Sequence, residues 1–208
     1  KGIADVFVSS AAKLGMTVAG RDGIDGKASD YRAVATKVRA AKPDVVYYGG
    51  ITQNNAGKLL KDLRSAGVDA PFIGPDGIFE DAFLKDAGDD AEGVYCTFGG
   101  VPVSAYTGDA KVFAEKYAKL HGGNPEAYAI YGYEMTKVAL AAIAKVNVKD
   151  RAAIRDAIFA TKDFKGILGT WSFDANGDTT LTTMSVNEIK RTAEGNLEFE
   201  LIEVVSAG

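Results

Sequence analysis

One cysteine, one histidine, one tryptophan and five prolines are all that 208 residues contain of these types. A single thiol, Cys96, excludes an intramolecular disulfide and any cysteine-based metal or redox cluster. It sits in the apolar run "GVYCTF", which reads as a buried strand with an inert thiol rather than a nucleophile. The single histidine, His121, stands in "KLHGG" at the end of a helical pattern, where a cation suits the helix dipole. No G-x-S-x-G elbow accompanies it, so a nucleophilic triad is disfavoured. No apolar run approaches the roughly 20 residues that span a bilayer, and the sequence shows no basic stretch leading into an apolar one. Charge of one sign is missing too. The 24 basic and 28 acidic residues are interspersed for a net charge of −4, so nucleic acid is not an expected partner. No G-x-G-x-x-G follows a strand and no Walker-type lysine follows a glycine turn, which leaves nucleotide binding weakly supported.

What is present is apolar substance, 47% of the chain, enough for a substantial core in a soluble globular protein. Helical spacing fits residues 2–14, 30–41, 54–66 and 79–87, with Ile3, Phe7, Ala11 and Leu14 on one face of the first. Between them, "MTVAG", "DVVYYGG", "APFIG" and "GVYCTF" read as strands. This alternation predicts right-handed βαβ units and a parallel sheet flanked by helices, an α/β fold. From Val101 the pattern changes. A crossover "VPVSAYTG" leads to helical patterns over 109–121, 126–145 and 150–161, the last with Asp150 as N-cap. The tail returns to alternating strands, "GTWSFD", "LTTMSVNEIKR" and "LEFELIEVV", split by "ANGD" and "AEGN" turns. Three segments follow: 1–100, 101–165 and 166–208. A pattern that opens at once in a helix reads as part of something longer.

Two units share a strand, a glycine-bearing turn and a helix closing on Ala-Gly: "PDVVYYGGITQNNAGKLLKDLRSAG" and "APFIGPDGIFEDAFLKDAG". In open α/β sheets ligands bind beyond the carboxyl ends of the strands, where these turns lie. The glycines either form a binding rim there or merely permit tight turns. Asp76, at the tip of "GPDG", either caps the following helix or faces the crevice, where it would suit a cationic group such as an ammonium. Glu80 and Asp81 read as first-turn helix acids rather than catalysts. Tyr128, Tyr131 and Tyr133 cluster at the start of a long helix, as packing or as an aromatic face for a ligand. "DANGD" spaces Asp174, Asn176 and Asp178 like a calcium loop, but position twelve is Ser185, and Asn176-Gly177 reads as a turn.

The words "KPDVVYYGG", "LLKDLRSAGVDAPFIGPDG", "AGDDAEGVYCTF", "AYAIYGYEMTKVALAAI" and "GTWSFDANGDT" resemble the substrate-binding proteins of branched-chain amino acid ABC transporters, the Leu/Ile/Val-type members of the type I periplasmic binding proteins. The resemblance runs in family order over nearly the whole chain. It implies two lobes joined by crossovers, of which 1–100 is most of lobe two, 101–165 holds a crossover and helices that pack on lobe one, and 166–208 returns to lobe two. The strands of lobe one would lie before Lys1. It also implies roles: Asp76 as the acid that meets the ligand's α-ammonium, Ile51 where the family carries an aromatic, Tyr128 as an aromatic at the helix start, and Thr52 and Gln53 as neighbours on the rim. The implied function is capture of a small amino acid-like ligand in the periplasm by hinge closure, without chemistry or cofactor, and delivery to a membrane permease. An N-terminal piece of the same protein is a further implied partner. A sensor of the same fold is the alternative, and an enzyme on the scaffold a third reading.

Overall fold

A computed structural model describes residues 2–206. In chain order its helices are α1 (Gly2–Lys13), α2 (Arg32–Ala41), α3 (Ala56–Ser65), α4 (Asp81–Ala87), α5 (Gly108–His121), α6 (Ala129–Val146) and α7 (Arg151–Phe159). Its strands are β1 (Val46–Tyr47), β2 (Phe72–Gly74), β3 (Tyr95–Phe98), β4 (Phe164–Gly166), β5 (Gly169–Trp171), β6 (Thr183–Arg191) and β7 (Leu197–Ser206). Contacts divide these residues into two compact units, 2–99 with 184–205 in one, and 100–183 with 206 in the other.

Unit one is built on a sheet ordered β1-β2-β3-β6-β7. β1, β2 and β3 run parallel, and β6 lies antiparallel to β3 with Cys96 opposite Asn187. The parallel strands carry unbroken apolar runs because helices cover them. Phe72, Cys96 and Phe98 are buried in the sheet, Val94 is buried just ahead of β3, and Leu60, Leu63 and Phe83 are buried on the helices. Each such side chain contributes about 1.5–3 kcal/mol by leaving water. At Gly57 an added Cβ would lie 2.8 Å from the backbone nitrogen of Ala87, so glycine lets α3 approach the end of α4 closely.

"MTVAG" departs from expectation: residues 16–20 form no strand, and Met16 and Val18 are exposed. A strand persists only when a neighbour accepts its backbone hydrogen bonds, and among the described residues no strand pairs with this one. The face expected on α1 is likewise only partly covered. Ala11 is buried and Phe7 stacks on Tyr47 at 3.8 Å, whereas Ile3 and Leu14 are exposed.

Unit two holds α5, α6, α7 and the antiparallel β4–β5 hairpin. "GTWSFD" thus supplies β5 to a hairpin in this unit rather than to the large sheet. Asp150 caps α7 as its sequence position predicts, accepting from the backbone N–H groups of Ala152 and Ala153. Around Ile130, Tyr106 and Ala114 gathers an apolar cluster that includes Phe113, Tyr131, Ile167 and Leu168. Below it the carboxylate of Glu134, fully buried, accepts hydrogen bonds from the Trp171 indole N–H at 2.9 Å and the Ile167 N–H at 3.1 Å. In the "DANGD" turn the Asp174 carboxylate accepts from the N–H groups of Asp178 and Asn176, and these bonds hold its pKa below the usual carboxylate value.

Candidate functional site

β1 and β2 are adjacent and parallel, so the turns that leave their carboxyl ends emerge side by side. The first, 48–53, ends in a short 3-10 turn, Thr52–Asn54; the second follows Pro75 as a 3-10 turn, Asp76–Ile78. Three contacts bind them into one rim, and a fourth, from Tyr48, braces the first turn internally. The Thr52 hydroxyl donates to the Gly77 carbonyl at 3.1 Å. The Tyr48 hydroxyl donates to the Ile51 carbonyl at 3.0 Å, and burial pushes that phenol up to about 12, keeping it a donor. The Gln53 side-chain amide donates to the Glu80 carboxylate at 3.0 Å. At Gly77 an added Cβ would lie 2.5 Å from Cγ2 of Ile51 and 3.0 Å from the Gly50 carbonyl oxygen. Glycine is needed there for closeness of approach.

Behind the rim, Asn55 takes a left-handed conformation (φ 59°) and its side-chain amide donates to the carbonyls of Gly26 and Ala28. This ties the start of α3 to the loop before α2. Asp76 is half-buried at the rim, and Ile51 presents an aliphatic side chain that is 44% exposed. Tyr47 at the end of β1 lies within electrostatic reach of Asp76. Burial first and the Asp76 charge second hold its hydroxyl above the ordinary phenol range. Of the residues singled out in the sequence, the structure therefore brings Asp76, Ile51, Thr52 and Gln53 together in unit one. Thr52 is buried, with its hydroxyl proton given to the staple, and Gln53 is engaged with Glu80. Tyr128 belongs to unit two, just ahead of α6, 42% exposed and with its ring 6.4 Å from that of Tyr131.

The Glu80 carboxylate is occupied by Gln53 and stands at the N-cap of α4, with Asp81 in the first turn. An acid at the rim beside an aliphatic wall is equipped to recognise a cationic head on an apolar body. Among the described residues no group of histidine, cysteine, aspartate or glutamate is arranged to hold a metal ion. Tyr48, Gly77 and the Tyr47–Asp76 proximity escape reading from sequence. The doubled tyrosine and the second glycine of "GPDG" were the available signals, but pairing of the turns is needed to interpret them.

A family model described as periplasmic binding protein matches residues 1–195. The chain belongs to the periplasmic binding protein family. Leu/Ile/Val-binding protein homolog 1 of Brucella abortus (strain 2308) is 30% identical over 201 residues, which cover 96% of this chain and 53% of that protein. An amino acid binding protein of Pseudomonas aeruginosa is 30% identical over 190 residues, 90% of this chain and 50% of its own length. Among solved structures, a leucine binding protein, LivK, from Thermotoga maritima superposes with a TM-score of 0.85 at 27% identity, covering 99% of this chain and 57% of that one. The chain spans about half the length of the curated relatives it matches. Its fold is that of the type I members, as the resemblance implied. These relatives are named for binding rather than for a reaction.

Proposed function

We propose that the whole protein captures a small amino acid outside the cytoplasm and delivers it to the membrane permease of an ABC importer. Asp76 meets the ligand's α-ammonium, Ile51 forms an aliphatic wall for its side chain, Thr52 and Gln53 complete the rim, and Tyr128 supplies an aromatic contact. Half of the site comes from polypeptide that precedes these residues in a longer protein, or from an N-terminal piece of it. Ligand binding then shifts an open–closed equilibrium of two lobes through differential affinity for the closed state. No bond is made or broken.

The observation that carries this reading is the stapling of two strand-end turns, which sets Asp76 beside Ile51 at the position where open α/β sheets bind ligands. The relatives named for leucine, isoleucine and valine binding support the ligand class. Titration calorimetry of the full-length protein with branched-chain and other amino acids tests it. Asp76→Ala removes a charge-assisted hydrogen bond worth about 1.5–3 kcal/mol, a loss of roughly 10- to 100-fold or more in affinity. Asp76→Glu, which keeps the charge, retains most of the binding. Equal affinity for wild type and Asp76→Ala would remove Asp76 from the site.

A further inference from the structure

We infer that Asn176 is a site of spontaneous deamidation and that Asp174 sets its rate by holding the surrounding turn closed. Asparagine is among the thermolabile residues, and Asn176 alone among the asparagines of this chain is followed by glycine. Asn176 is exposed. Gly177 carries no Cβ to shield its backbone nitrogen, the atom that can close a five-membered ring on the Asn176 side chain.

The chemistry needs only water. The Gly177 nitrogen gives its proton to solvent base and bonds to Cγ of Asn176. The Cγ–Nδ2 bond breaks, and the nitrogen leaves as ammonia with a proton taken from water. Water then opens the resulting succinimide. Cleavage at Cγ leaves aspartate on a normal main chain, whereas cleavage at the main-chain carbonyl leaves isoaspartate, whose main chain runs through Cβ and Cγ and is one methylene longer. Overall an amide NH2 is exchanged for OH, one water is consumed and one ammonia is released.

The intact turn opposes that ring closure. The Asp174 carboxylate accepts from the N–H groups of Asn176 at 2.8 Å and Asp178 at 2.9 Å. Its backbone N–H donates to the Asp178 carbonyl at 2.9 Å, and its carbonyl accepts from the Gly177 N–H at 3.2 Å. The attacking nitrogen is therefore engaged, and the Asn176 backbone cannot rotate to bring it over Cγ without giving up these bonds. A carboxylate so close also disfavours loss of a proton from a neighbouring amide. On its other side Gly177 lies against Phe159, where an added Cβ would fall 2.6 Å from Cε1. The longer main chain of isoaspartate shifts Gly177 and Asp178 from these partners, so a converted turn does not reclose.

Peptide-mass mapping of the full-length protein, aged at mildly alkaline pH, tests this. Trypsin cuts after Lys165 and Lys190 and releases Asn176 in one peptide, whose fragmentation places the exchange of NH2 for OH. Conversion is expected to be slow in the folded wild type and fastest in the urea-denatured chain, rising with pH in both. Asp174→Ala should accelerate it in the folded protein by roughly tenfold or more, because the bonds to the carboxylate are gone. Asp174→Asn, which keeps one acceptor oxygen and loses the charge, should fall between. Trp171 fluorescence reports whether each variant is folded, and Asp174→Asn carries the comparison where Asp174→Ala does not fold. Equal rates in the folded wild type and a folded variant overturn the gating by Asp174. So does a folded wild type that converts as fast as the denatured chain. A denatured chain in which other asparagines convert before Asn176 overturns the site itself.

Discussion

Replacing Glu134 tests how unit two is held together. Its carboxylate is wholly buried and accepts from the Trp171 indole at 2.9 Å, from the Ile167 N–H at 3.1 Å and, at a long 3.4 Å, from the Leu168 N–H. The last bond adds little at that length. For the other two, Glu134→Ala removes the acceptor and leaves both donors buried and unsatisfied, at about 1–3 kcal/mol each. A loss of about 3–5 kcal/mol follows. In Glu134→Gln the side chain keeps one carbonyl oxygen and turns an amide N–H toward one of the two donors. About half the effect, 1–3 kcal/mol, is expected. Trp171 is the chain's only tryptophan, so its fluorescence during urea unfolding reports on this locus directly. With a slope of about 1–3 kcal/mol per molar urea, the alanine variant should lower the midpoint by about 1–5 M. Gly166→Ala gives an internal check, because an added Cβ would fall on the Glu134 carboxylate itself. It should destabilise comparably, and combining it with Glu134→Ala should be far from additive. A midpoint for Glu134→Ala within about 0.3 M of wild type, against that slope, would refute the latch.

Gly77→Ala should cost about 1–3 kcal/mol by overpacking against Ile51 and the Gly50 carbonyl. It should also weaken amino acid binding in the full-length protein by calorimetry, and binding that is untouched would mean the two turns need not be locked. Cys96 is fully buried, and burial pushes its thiol far above the ordinary range. Below that raised value the group remains a neutral thiol, so an Ellman-type reagent at pH 8 should label it only after denaturant is added, and rapid labelling of the native chain would contradict its placement.

Much of this architecture is legible in the sequence because its signals are local. Apolar spacing sets all seven helices to within a few residues, and Asp150 can be recognised as an N-cap because a carboxylate two and three residues ahead of free N–H groups is a local device. Signals that depend on a neighbour fail. "MTVAG" has strand composition, but composition cannot say whether a partner strand is present, and β5 joins a hairpin in unit two that no alternation pattern distinguishes from the terminal sheet. The candidate site divides in the same way. The turn and its acid can be read from "GPDG", whereas the Thr52 hydrogen bond to Gly77 joins residues whose relation exists only once β1 and β2 lie side by side. Glu134 is the clearest loss. A lone acid in "IYGYEMTKVAL" resembles a surface residue, and only the hairpin that folds over it turns it into an anchor.

The two acids, Asp76 and Glu134, stand in different surroundings, and the contrast bears on the role proposed for Asp76. Glu134 lies in the apolar middle of unit two, its oxygens directed at an indole N–H and backbone N–H groups of the same unit. Such a carboxylate serves the fold, since removing it exposes nothing to solvent and leaves donors unsatisfied. Asp76 stands half-buried beyond the end of a strand, in a turn whose backbone is fixed by the neighbouring turn. Rigid backbone with the acid at the rim is the arrangement that lowers the entropic cost of orienting a charged group toward a ligand. The same reasoning separates Thr52 from Ile51. The buried hydroxyl is used within the staple, while the half-exposed aliphatic chain beside it is held on a fixed backbone with its surface toward solvent. Selectivity among ligands should therefore respond more to substitution at Ile51 than at Thr52, and loss of affinity for all of them should be the signature of changes at Thr52 and Gly77.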